Sequence, residues 1–204
     1  LGEALDHRGA GVRLFIALLP PPPVVQALER LSVAAVAHFE GRATQPETLH
    51  LTLAFLGEVA PETLSAVECA CAEIANDPAL AGGFELRLDR LACWRHNRLL
   101  WAGCQMPPEA LLRLAEGLRQ RLSEPGGCHV GMTPHVTLVR RVAAVDRATE
   151  AACEALLADV YPQGLPVWPV GGLALVESRR LAGGAEHRVR MRYAFCGGNS
   201  VASG

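Results

Sequence analysis

Apolar positions along this chain recur in two spacings, and the alternation between them lays out the elements. Residues 13–19 form a compact apolar run rich in strand formers, ended by the four prolines Pro20 to Pro23. Apolar residues then repeat at helical spacing over 24–39, and residues 49–56 read as a second strand that Gly57 closes. Pro61 and Glu62 open a helix reaching Asn76. Residues 84–94 and 99–105 follow as two strands, joined as a hairpin by the polar turn 95–98. Pro107 and Pro108 start a third helix to Ser123, and residues 124–127 break the chain before a strand at 135–140. A fourth helix over 146–160 leads into strand-like segments at 167–176 and 188–195, with 196–204 a loose tail.

The resulting order is strand, helix, strand, helix, strand, strand, and then helix, strand, helix, strand, strand. Each half ends in adjacent strands with a short connection, which predicts an α+β protein of two related halves and not a doubly wound parallel sheet. No glycine-rich phosphate fingerprint follows the first strand, so a dinucleotide fold is excluded. The fold expected is two pseudo-symmetric lobes, each an antiparallel sheet with helices packed outside and a groove between them. In domain terms this is a single bilobal unit over 12–195.

Composition changes this picture only at its edges. With 204 residues, half of them hydrophobic and a net charge of −2, the chain can bury a substantial core. No apolar run approaches the roughly 20 residues of a membrane-spanning helix, so no membrane partner is expected. Residues 1–11 have neither the basic start nor the apolar middle of a secretory signal, and the first residue is not Met; a processed, truncated or engineered start is expected. The seven cysteines (69, 71, 93, 104, 128, 153 and 196) are odd in number and form no C-x-x-C pair, which fits small core residues in a reducing cytoplasm rather than a disulfide framework or a zinc site. All 19 basic residues are Arg, a bias that GC-rich coding produces as readily as a need for phosphate-binding forks. Residues 177–204 hold five Arg against two Glu, so a local anion site stays open.

The chemistry is concentrated in two short segments, Leu49-His50-Leu51-Thr52-Leu53 and Pro134-His135-Val136-Thr137-Leu138. Seven His and seven Thr in 204 positions give by chance about 0.24 His-x-Thr triplets, and about 0.06 with both apolar flanks required, so two at matching places in two halves is a strong signal. On a strand, side chains alternate: Leu51 and Leu53 face the core while His50 and Thr52 share the other face, and His135 and Thr137 do likewise. If a pseudo-twofold axis relates the halves, two imidazole–hydroxyl pairs meet across one groove. A neutral imidazole takes a proton from water and a charged one gives a proton to a leaving oxygen, both forms being accessible near neutral pH, so in-line displacement at phosphorus needs no metal or other cofactor. The Thr hydroxyls would hold the non-bridging oxygens.

These segments resemble the 2H phosphoesterases, and within them the RNA 2',3'-cyclic phosphodiesterases also called 2'-5' RNA ligases. The resemblance starts at Arg13-Leu14-Phe15-Ile16-Ala17-Leu18, is strongest from Leu49 through Val59, continues through Leu100-Trp101-Ala102-Gly103 and recurs from Pro134 to Arg140, covering about residues 12–195. It implies hydrolysis of RNA 2',3'-cyclic phosphate ends to 2'-phosphomonoesters, with reversible, ATP-independent 2'-5' joining as a side activity. His50 then matches the proton donor to the leaving 3' oxygen and His135 the base that activates water. Thr52 and Thr137 match the phosphate-holding positions, and Arg140 matches a basic residue after the second motif. The implied partners are tRNA fragments or oligonucleotides with cyclic phosphate ends, or small cyclic nucleotides; a cytoplasmic monomer is expected. Two departures stand out: Thr133, where relatives often carry an aromatic or basic residue, and His187, near a position where they often carry Tyr.

The remaining His residues (7, 38, 96, 129 and 187) lack a Thr partner and read as surface or structural. Trp94, Trp101 and Trp168 read as buried anchors before base-stacking platforms, and Phe15 and Phe55 as core. Arg188, Arg190 and Arg192 alternate at strand period, which suits either a groove wall or a charged edge strand. Two rival functions stay open: a non-catalytic RNA- or phosphate-binding module, and hydrolysis of another small cyclic phosphodiester.

Overall fold

A computed structural model describes residues 11–122, 133–143, 147–181 and 184–197. The leading segment to residue 10 with His7, the breaker at 124–127 with Cys128 and His129, Asp146, and the tail from residue 198 lie outside the described residues.

β1 (Val12–Leu18) is apolar from Leu14 onward, where both its faces are covered. Leu14, Ile16 and Leu18 join the main core, whereas Phe15 and Ala17 join a second, smaller cluster with Ala174 and Val176. The proline run does more than end this strand. Pro22 and Pro23 form the first turn of α1 (Pro22–Phe39), where a missing N–H costs nothing. After the two-residue β2 (Arg42–Ala43) and a 3-10 turn at Pro46–Thr48 come β3 (Leu51–Val59) and α2 (Pro61–Ala75). Gly57 does not close β3: it sits inside the strand at φ +69° beside a bulge, where Leu14 pairs with Gly57 and Phe15 with Phe55.

The segment read as one strand over 84–94 divides into β4 (Phe84–Leu86) and β5 (Arg90–Trp94). β6 (Leu99–Gly103), α3 (Glu109–Arg121), β7 (His135–Arg140) and α4 (Arg147–Val160) follow. The second half divides in the same way, into β8 (Trp168–Val170) and β9 (Gly172–Leu181), and β10 (Gly184–Ala194) begins earlier than its sequence pattern suggested. Both divisions serve one purpose: β4 and β8 pair with each other in a separate two-stranded sheet that ties the halves together.

All other strands form one antiparallel sheet in the order β10-β9-β1-β3-β7-β6-β5, with β2 beside β7. The α+β class and its antiparallel strands are as the sequence predicts. β3 meets β7 at a single residue pair, Leu51 opposite Val136, so the strand group β10-β9-β1-β3 adjoins the group β7-β6-β5 through one β3–β7 rung, each group mixing strands of both sequence halves. Core residues of all four helices, among them Leu28, Ile74, Leu114 and Cys153, pack with Leu51, Leu53, Val136 and Leu138 on one face of this junction. The opposite face, which carries His50 and His135, stays open. Cys196 is held at the end of the fold, its N–H reaching the Ala75 carbonyl and its thiol the Asn76 side chain.

Candidate functional site

The Leu51–Val136 pair places the two motifs in antiparallel register, so His50 comes to lie beside Thr137 and Thr52 beside His135 on the open face. The two imidazoles are thereby diagonal neighbours, positions roughly 7–8 Å apart in a regular sheet. His50, Thr52, His135, Thr137 and Arg140 all line one cavity of about 400 Å³.

Arg140 reaches this face through a bulge. By strict alternation it would share the core face with Val136 and Leu138, but Leu100 pairs with Val139 and Trp101 with Thr137, leaving Leu138 as an extra residue. Leu138 and Val139 are both buried, and Arg140 turns outward. The first motif does the same: Ile16 pairs with Ala54 and Ala17 with Thr52, Leu53 is extra, and Phe55 turns onto the open face. Phe55 is therefore not core. It is 45% exposed, lines the cavity and carries the Arg13 guanidinium 4.8 Å from its ring centre.

Each motif His is anchored identically. Nδ1 of His50 lies 2.7 Å from the Thr48 carbonyl oxygen, and Nδ1 of His135 lies 2.9 Å from that of Thr133. A carbonyl only accepts, so each Nδ1 donates its hydrogen, and Nε2 is left as the nitrogen that gains or loses a proton. Thr133 contributes through its backbone, which makes its side-chain identity immaterial to this anchor.

Burial pushes the His50 pKa down to about 4, partly opposed by the Thr48 bond and reinforced by His187, Arg140 and His135. His135 is lowered too, chiefly by burial and then by Arg140, against the Thr133 bond. Both shifts favour the neutral imidazole. Arg140, itself pulled below its usual value by burial, is the cation that faces both rings.

Aromatic rings brace the pair. Phe15 packs on His50 at 4.7 Å between centroids, and Trp94 packs edge-on to His135 at 4.5 Å. Trp94 is half-buried and lines the cavity, whereas Trp101 and Trp168 are buried anchors. His187 corrects its reading as a surface or structural residue: it lines the cavity, stands edge-on to His50 at 5.0 Å and touches Phe15. No local pattern marks it, because it arrives on β10 from a strand distant in sequence. Asn97 and Ser178 also line the cavity without a sequence signal. The three alternating arginines do not act as one wall. A bulge at Arg190 breaks their alternation, Arg190 bonds to Glu177, and Arg192 faces a neighbouring cavity.

The family model described as the 2'-5' RNA ligase superfamily matches residues 20–181. An RNA 2',3'-cyclic phosphodiesterase of Escherichia coli is 34% identical over 131 residues, 63% of this chain and 71% of that protein. One from Thermus thermophilus is 31% identical over 198 residues, 91% of each chain. A crystal structure of E. coli LigT complexed with 3'-AMP superimposes with a TM-score of 0.71 at 26% identity, covering 91% of this chain and 99% of that one.

Proposed function

The chain belongs to the 2'-5' RNA ligase superfamily, and from that premise we propose that it opens RNA 2',3'-cyclic phosphates to 2'-phosphomonoesters by acid/base catalysis between His50 and His135. The observation that carries this reading is the pair of identically anchored imidazoles, each beside a Thr hydroxyl, on one cavity of about 400 Å³.

The cyclic phosphate sits over the β3–β7 junction with Thr52, Thr137 and Arg140 around its non-bridging oxygens. Water attacks phosphorus in line with the 3' oxygen. Nε2 of His135 takes the water proton, the new P–O bond forms, the P–O3' bond breaks, and Nε2 of His50 delivers a proton to O3'. Negative charge grows on the non-bridging oxygens, which this reading sets against the two hydroxyls and the guanidinium that line the cavity, so stabilisation is greatest in the transition state. The bound anion also raises both histidine pKa values, which supplies the protonated His50 that the free protein lacks. With a 5'-hydroxyl oligonucleotide in place of water, Nε2 of His135 takes the 5'-hydroxyl proton, the P–O5' bond forms as P–O3' breaks, and His50 protonates O3', leaving a 2'-5' linkage; return of that linkage to the cyclic phosphate exchanges the two roles. RNA fragments with cyclic ends, tRNA halves among them, and small cyclic nucleotides are the substrates this reading admits.

The test is incubation with a nucleoside 2',3'-cyclic phosphate in the presence of a chelator, with product identification. A 2'-phosphate that disappears with His50→Ala and with His135→Ala supports the reading. A 3'-phosphate, or binding without turnover, overturns it.

A further inference from the structure

Cys93 and Cys153 are 60 residues apart in sequence, yet their sulfurs are in contact at 3.8 Å. Cys93 stands on β5 and Cys153 on α4, the helix packed against that strand. Successive residues of a strand face opposite ways, so Cys93 points to the helices and Trp94 to the open face. There the Trp94 ring stands edge-on to His135 at 4.5 Å. Among the described residues β5 is the end strand of its sheet, hydrogen-bonded only to β6.

We propose that Cys93 and Cys153 form a reversible oxidation site, which closes to a disulfide under a peroxide-class oxidant and thereby draws Trp94 away from His135. Half-buried Cys93 is the thiol that meets the oxidant, and fully buried Cys153 is the one that resolves it. The hydrogen bond between them suits these parts: it lowers the Cys93 pKa against the effect of burial, and the same bond, with burial, raises that of Cys153. With hydrogen peroxide, the Cys93 thiolate attacks one oxygen, the S–O bond forms as the O–O bond breaks, and hydroxide leaves to take up the proton that Cys93 gave. The Cys153 sulfur then attacks that of Cys93, the S–S bond forms as the S–O bond breaks, and the hydroxyl departs with the Cys153 proton as water. Two thiols have lost two electrons and two protons, and one peroxide has become two waters. A dithiol reductant reverses the change by exchange.

For the bond to form, the sulfurs close from 3.8 Å to about 2 Å. Cys153 is fully buried in the main core, whereas β5 is tied along one edge only, so the strand takes up the movement. The residue next to Cys93 is the ring that braces His135, and a shift of that brace misplaces the imidazole. The consequence for activity rests on the catalytic reading above; formation of the disulfide does not.

The experiment treats the full chain with hydrogen peroxide and maps its unreduced peptides by mass spectrometry. A link between Cys93 and Cys153 is expected, together with a moved NMR signal of the His135 ring protons, identified by its loss in His135→Ala. On adenosine 2',3'-cyclic phosphate kcat/KM is expected to fall by about tenfold. Dithiothreitol should restore all three. Cys93→Ala and Cys153→Ala should each keep the kinetics of the reduced protein and lose the effect of peroxide, and either alone serves where the other fails to fold. Oxidation of exposed Cys69 with no link between Cys93 and Cys153 overturns the site. A link that leaves either the His135 signal or kcat/KM in place overturns the coupling, as does a peroxide effect that survives both substitutions. Failure of the catalytic reading is separate: the reduced protein then turns over no substrate, and the peptide map and the His135 signal decide.

Discussion

Leu51 and Val136 face each other as the single rung between β3 and β7 among the described residues, and both side chains are fully buried. This pair sets the register in which β3 and β7 present the two motifs. Leu51→Ala is expected to cost about 2–5 kcal/mol of stability, as buried Leu truncations do. It should also lower kcat/KM by tenfold or more at a temperature where the protein stays folded, because the strands carrying His50 and His135 lose their fixed separation. Leu14→Ala removes an equally buried side chain on β1, away from that rung. Urea unfolding should show a comparable loss there with kcat/KM nearly intact. Equal activity losses in the two variants would remove the special standing of the rung.

The lowered histidine values set the pH dependence. A depressed pKa means the neutral form is favoured, so protonated His50 becomes scarce as pH rises past about 4, and His135 loses its proton below the usual 6.5. The kcat/KM profile, which reports the free protein, should therefore peak below pH 6.5, while kcat should peak at higher pH because the bound phosphate anion favours the charged rings. A kcat/KM maximum above pH 7 contradicts this.

Arg140 is the shared cation, and its removal should be visible in the same profile. Its charge lowers the pKa of His50, His135 and His187 alike. Arg140→Met is expected to move the alkaline limb of kcat/KM to higher pH even as the maximal value falls. An unshifted limb would show that Arg140 acts on phosphate alone.

The division of labour between the histidines has its own test. A cyclic 3'-S-phosphorothiolate leaves as a thiolate and needs no proton from an acid. His50→Ala should regain most of its lost kcat on this substrate and His135→Ala should not; the reverse pattern would assign His135 as the acid.

The hydroxyls are expected to stabilise the transition state rather than to fold the chain. Thr52→Val and Thr137→Val keep the side-chain shape, so thermal unfolding should move little, and loss of one preorganised donor should lower kcat by about 10²–10³. A fall confined to KM would make the hydroxyls simple anchors.

Much of this molecule is legible in its residue order. The repeated His-x-Thr motif, the helix starts at Pro61 and just after Pro108, and the strand at residues 135–140 follow from local periodicity and turn chemistry, which neighbours in sequence suffice to express. Segments 84–94 and 167–176 misled because each is locally continuous in apolar character, yet their ends pair with each other, β4 with β8, across the two halves.

By itself the sequence determined that two imidazole–hydroxyl pairs would stand on the outer faces of two related strands, since alternation along a strand is a local property. The tertiary structure alone decided which other groups meet them. A bulge at Leu138 swings Arg140 to the open face and one at Leu53 does the same for Phe55, because an added residue reverses the alternation and only a partner strand shows where it is added. His187 arrives on β10 by sheet order, and no spacing within one strand encodes which strand will lie beside it.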